Sequence, residues 1–100
     1  MIGIDEQLIS ALREIVMLLD SVNERGWVFR LRGDLERLEE GDWAAVEHLL
    51  SAYGGMGSLN DLYICAENGH TVAITDRDSV NKRLRHLTSE MWKLAKLRTR

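Results

Sequence analysis

Proline is absent from these 100 residues, and cysteine and phenylalanine occur once each. Without proline, glycine and polar capping residues must supply the turns and stops of the chain. The single Cys65 has no partner for an internal disulfide, which points to a reducing compartment and an expected cytoplasmic location. Long apolar runs are missing too. None exceeds five residues, the length of Ile15–Leu19, whereas a membrane helix needs roughly 20. Met1–Gln7 carries no basic leader before an apolar stretch, so no secretory signal is expected.

Basic residues are scarce through most of the chain. Residues 1–76 hold 5 Lys/Arg against 14 Asp/Glu, and residues 77–100 hold 8 against 2. The net charge of −3 therefore hides a basic C-terminal element on an acidic body. Internal complementarity between helices accounts for such a split, and so does steering of a charged partner. With 45% apolar and 29% charged residues, the chain has the composition of one globular domain able to bury its own core.

Apolar spacing predicts four helices. The first spans about Ile4 to Glu24, with Leu8, Ala11, Leu12, Ile15, Leu19 and Val22 at helical intervals. Ile9, Val16 and Leu18 widen that stripe, as in a helix buried on more than one side; Arg25 and Gly26 suit its end. The second spans Trp27 to Glu39, with Val28, Leu31, Leu35 and Leu38 inward and Gly41 as its stop. Gly33 interrupts it, for close packing or as a break. The third spans Asp42 to Tyr53, from an Asp42 cap to a left-handed Gly54. The fourth spans Asp76 to Arg98, with Val80, Leu84, Leu87, Met91, Leu94 and Ala95 inward and Thr75 with Asp78 as a capping box. Between the last two, Leu62–Cys65 and Val72–Ile74 are β-like runs flanking Asn68-Gly69, a hairpin turn pair. The expected architecture is mainly α, a compact four-helix domain with a small two-stranded hairpin or extended loop between helices three and four.

Residues Tyr53-Gly54-Gly55-Met56-Gly57-Ser58-Leu59-Asn60-Asp61 are the most specific stretch. The first reading is structural: glycines adopt positive φ, Met56 folds onto the core, and Ser58, Asn60 or Asp61 satisfies backbone amides. The Lys-Ser/Thr pair of a phosphate loop is missing, and the run follows a helix rather than a strand, unlike a dinucleotide loop. Its amides remain a candidate anion nest.

No metal centre is expected. His48, His70 and His86 lack partners at ligand spacing, and Asp76 with Asp78 reads as helix-start charge. Cys65 has no cationic neighbour and is expected to be buried and inert. The acidic stretch Asp34–Glu47 holds six carboxylates against Arg37. It is a solvated face or a docking surface for a basic protein. Trp92 on the basic last helix invites nucleic acid, but the acidic chain carries no nucleic-acid motif.

The run from Leu50 to Leu62 resembles that of a family of uncharacterised small bacterial proteins. Its pattern is an aromatic residue, Gly-Gly-Met-Gly-Ser, Leu or Phe, then Asn-Asp. Asn68-Gly69-His70 and the last helix, with Asn81, Leu84, Leu87 and Leu94, fit the same outline. The resemblance implies no catalytic residue; its association is with toxin-neutralising immunity factors. The expected function is a non-enzymatic interaction module, immunity or antitoxin-like in its sharpest form, whose partner is a protein such as a basic toxin domain. Candidate contact residues are Glu36, Glu39, Glu40, Gly55, Met56, Gly57, Ser58, Asn60, Asp61 and His70. No cofactor is expected, and nucleic acid and membrane are disfavoured as partners. The alternative is a small-ligand or nucleotide-binding regulator that uses the glycine loop.

Overall fold

The computed structural model describes residues 2–99. These residues form four helices: α1 (Ile4–Ser21), α2 (Arg25–Glu39), α3 (Ala45–Leu50) and α4 (Arg77–Arg98). Two 3₁₀ turns, Leu59–Asp61 and Ala66–Asn68, lie between α3 and α4. Helix α1 packs against both α2 and α4, and α3 bridges those two. The widened apolar stripe explains the placement of α1: Leu8, Leu12, Ile15 and Leu19 are wholly enclosed, with Ala11 and Val16 beside them. Each such leucine stabilises the fold by about 1.5–3 kcal/mol. The α4 stripe of Leu84, Leu87, Met91 and Ala95 meets the same core.

Two left-handed residues set the path of the chain. Gly41 (φ 85°) ends α2 as expected. Its amide donates to Leu38 O at 3.0 Å and the Asp42 amide to Arg37 O at 2.8 Å, the paired bonds of a Schellman motif. Helix α1 ends earlier than the sequence suggested, at Asn23 (φ 62°). Asn23 N–H donates to Asp20 O at 3.2 Å and Glu24 N–H to Leu19 O at 2.9 Å. Asparagine tolerates this conformation better than other residues with a β-carbon. Glu24 then caps α2, accepting from Trp27 N–H at 3.0 Å, and Gly26 falls inside α2 rather than in the break.

The predicted hairpin does not form, and among the described residues there is no strand. Side chains have taken the backbone groups that a ladder would use. Asn81 on α4 accepts from Ile64 N–H at 2.7 Å and donates to Ile64 O at 2.8 Å. Asn68 donates to Tyr63 O at 3.1 Å, and His70 Nδ1 accepts from Cys65 N–H at 3.2 Å. One backbone rung survives, His70 N–H to Cys65 O at 3.2 Å. The segment is an extended loop clasped onto α4 by an amide side chain. Asn68-Gly69 does turn the chain, with Gly69 left-handed (φ 87°), and Cys65 is buried.

The third helix is also shorter than expected, six residues ending at Leu50. Asp42 opens the turn before it, its Oδ1 accepting from Ala44 N–H at 3.3 Å. The Thr75–Asp78 capping box is absent; Asp76 precedes α4 and makes no side-chain cap bond. Two α4 cations pair with α1 carboxylates: Arg98 with Asp5 at 2.7 Å and Arg83 with Glu14 at 3.7 Å. Internal complementarity thus absorbs part of the charge split.

Candidate functional site

The glycine loop satisfies itself. Asn60 Oδ1 accepts from Gly54 N–H at 3.1 Å, and Asp61 Oδ2 accepts from Gly57 N–H at 2.9 Å. The Ser58 hydroxyl lies 2.6 Å from both Gly55 O and Asn60 Oδ1. Leu59 N–H donates to Ala52 O at 2.8 Å, and the Leu59 side chain is buried in the core. Gly54 (φ 156°) and Gly57 (φ 82°) take conformations that a side chain strains. Gly54 is not the left-handed cap of α3, because a turn through Ser51 and Ala52 intervenes. Met56 does not fold onto the core; at 99% exposure it is the tip of the loop. The core position expected for Met56 is filled by Leu59 instead.

The acidic stretch divides. Asp34 is 2% exposed and belongs to the inner stripe with Leu31, Leu35 and Leu38. It faces His48 Nδ1 at 2.6 Å. Asp42 binds Arg37 at 2.9 Å; that guanidinium and its hydrogen bond hold the Asp42 carboxyl below the usual carboxylate range. Glu39 pairs with Arg13 at 2.7 Å. Glu36, Glu40 and Glu47 are exposed and enter none of the ion pairs among the described residues.

Glu36 and Glu40 share the outer face of α2 with two residues that the sequence reading did not use as a site. Phe29, Gly33, Glu36 and Glu40 follow the spacing i, i+4, i+7, i+11, which lines up on one helix face. Phe29 is 85% exposed. A β-carbon at Gly33 would meet nothing within 4 Å, so Gly33 neither allows close internal packing nor breaks the helix. Along this face runs a shallow groove of about 830 Å³, bordered by Arg25, Arg32 and Arg37 and reaching Asp34 and His48. The signal was the polar side of the α2 wheel, where one phenylalanine interrupts a charged arc.

Two histidines form carboxylate pairs. His48 Nδ1 bonds Asp34 Oδ1, while the rest of the imidazole remains half-exposed. Asp34 Oδ2 is enclosed without a partner. Ser51, the hydroxyl bonded within this cluster, donates to His48 O at 2.6 Å and accepts from Arg30 at 2.9 Å. The pair fastens α3 to α2. His70 is buried, which removes it from any contact surface. Because Nδ1 accepts from Cys65 N–H, Nε2–H donates to Glu24 at 3.2 Å. It ties the extended loop to the α1–α2 turn. Thr71 adds a backbone bond there, donating to Val22 O at 3.0 Å. Among the described residues, no cluster of three or more His, Cys, Asp or Glu could hold a metal ion. None of the described helices is long and apolar enough to cross a membrane.

Together these features define an all-α, four-helix domain with a self-bonded glycine loop. Residues 20–73 match the family model described as a domain of unknown function, DUF6966. The match covers more than half of the chain, which belongs to that family. It takes in α2, α3, the glycine loop and most of the clasped segment, and stops before α4. No curated protein and no solved structure is significantly similar.

Proposed function

We propose that this chain is a non-enzymatic protein-interaction module that offers the outer face of α2 to a basic partner. Phe29 carries the reading. A helix-borne aromatic at 85% exposure contributes nothing to the core, and aromatics are preferred anchors of protein interfaces. Gly33 beside it lowers helix stability by about 1 kcal/mol relative to alanine and returns no internal packing. Its missing side chain lets a partner approach the helix backbone. Glu36 and Glu40, at the C-terminal end of the face, steer the basic part of a partner toward that end, while Arg25 and Arg32 border the other. The matched family segment includes this whole face.

Within this reading the specific form is a small bacterial immunity or antitoxin-like protein that covers a basic toxin domain. Its support is the motif resemblance together with the acidic end of the face. A non-enzymatic role is supported by the His48–Asp34 pair, whose neighbouring hydroxyl is turned to a backbone carbonyl. The alternative, a ligand-binding regulator using the glycine loop amides, is the weaker reading because Gly54 and Gly57 already spend theirs on Asn60 and Asp61.

The test begins with a pull-down by the purified chain, followed by association kinetics at two salt concentrations. Reversing Glu36 and Glu40 to Lys should slow association by roughly tenfold at low salt and less at high salt. Phe29→Ala should act mainly on dissociation, at about 2 kcal/mol. A partner indifferent to all three substitutions would remove the proposal.

A further inference from the structure

A second concavity lies between α4 and the glycine loop, outside the docking face and only partly within the matched family segment. It is a groove of about 660 Å³, within the range of small-molecule sites. Tyr53, Asn60, Arg85, Ser89, Trp92 and Lys96 line it. None of the residues that border it is a carboxylate, in a chain with 16 Asp and Glu. Arg85 and Lys96 enter none of the ion pairs among the described residues, although Arg83, Lys93 and Arg98 on the same helix do. Two of the α4 cations that no carboxylate neutralises thus meet at one cleft.

The groove is also chemically divided. Trp92 is 42% exposed, and Lys96 Nζ lies 5.5 Å from its ring centroid. Arg85 stands seven residues earlier, about 10 Å along the helix axis. Ser89 and Asn60 border the same groove. Asn60 Oδ1 is held by Gly54 N–H, leaving the Nδ2 donors for a ligand. The glycine loop thus shapes a wall of the groove without using its own amides.

We propose that this groove binds a planar aromatic ring carrying a phosphate, the chemistry of a nucleoside monophosphate. The ring stacks on the Trp92 indole, which accepts any base through its π-face. The phosphate meets Arg85, whose planar fork suits it. Free phosphate would gain the cation without the stacking, and a free nucleoside the reverse. The separation of indole and guanidinium therefore selects a ligand with both ends.

The experiment titrates the ¹⁵N-labelled chain with adenosine 5′-monophosphate, and separately with adenosine and with inorganic phosphate. The expected result is shift changes at Gly54, Asn60, Arg85, Ser89 and Trp92. The nucleotide should bind at least about tenfold more tightly than either half alone, because a charge-assisted bond and a stacked ring each contribute more than a tenfold factor. Arg85→Ala and Trp92→Ala, each checked for an unchanged helical circular dichroism spectrum, should weaken nucleotide binding by about tenfold or more. Arg85→Lys, a conservative check on folding, should restore part of the loss. Absence of shifts at this groove would overturn the inference. So would binding of phosphate as tight as that of nucleotide, or nucleotide binding indifferent to Arg85 and Trp92. None of these results bears on the α2 face, which the partner kinetics test separately.

Discussion

Asn81→Ala is expected to be among the most damaging single substitutions in the chain. The side chain is buried and makes three bonds: from Ile64 N–H at 2.7 Å, to Ile64 O at 2.8 Å and to Arg77 O at 2.9 Å. Ile64 is fully enclosed. Truncation leaves both of its backbone groups without partners, at about 1–3 kcal/mol each. Water entering the vacated space recovers some of this, so a net loss of about 3 kcal/mol is expected. With a urea slope of about 1.5 kcal/mol/M for a domain of this size, the unfolding midpoint should fall by about 2 M. Asn81→Asp should be no better at neutral pH. It keeps the acceptor for Ile64 N–H but sets an oxygen against two carbonyls. Urea unfolding followed by circular dichroism gives the number, and amide exchange at Ile64 gives the location. A loss below about 1 kcal/mol for Asn81→Ala would refute the reasoning, because the loop would then be held by something other than this clasp.

Gly33→Ala should raise stability by about 0.5–1 kcal/mol, since the site is open; calorimetric melting checks this, and partner affinity should fall at the same time. Gly54→Val should lower stability by roughly 1–3 kcal/mol through strain at a φ that valine avoids, which chemical denaturation measures. Burial raises the Tyr53 phenol well above its ordinary value, and its hydroxyl donates to Thr88 O at 2.5 Å. The unfolded phenol ionises near pH 10 while the folded one resists, so its stabilisation is complete below that pH and is lost as pH rises toward the higher folded value. Tyr53→Phe should cost about 1 kcal/mol at neutral pH and flatten this alkaline slope in urea midpoints taken across the range.

The helices were legible because their apolar residues recur at 3.6-residue intervals, and Gly41 marked its stop correctly. The α1–α2 boundary was misplaced because Arg25-Gly26 resembles a stop, whereas Asn23 supplied the left-handed residue and Glu24 the cap. The hairpin failed for a reason invisible to local pattern: Asn81, 17 residues from Ile64, provides the bonds of a missing strand. The apolar character of Met56 predicts an interior side chain, but Leu59, three residues later, is the one that reaches the core. Composition groups Asp34 with the acidic surface. Its spacing from Leu31 and Leu38 already put it on the inner stripe. The same wheel, viewed from outside, would have shown Phe29 in line with Glu36 and Glu40. Of the candidate contact residues, Glu36 and Glu40 share that face, Glu39 is engaged by Arg13, His70 is interior, and Asn60 borders the α4 groove.

The most direct test places a photo-crosslinking phenylalanine analogue at position 29 in the chain expressed in its own cell, with the same analogue at Leu97 on α4 as an exposed apolar control away from α2. Docking on the outer face of α2 predicts one discrete adduct from position 29, with a basic protein, and none with that protein from position 97. Identical adducts from both positions, or none from position 29, would contradict it.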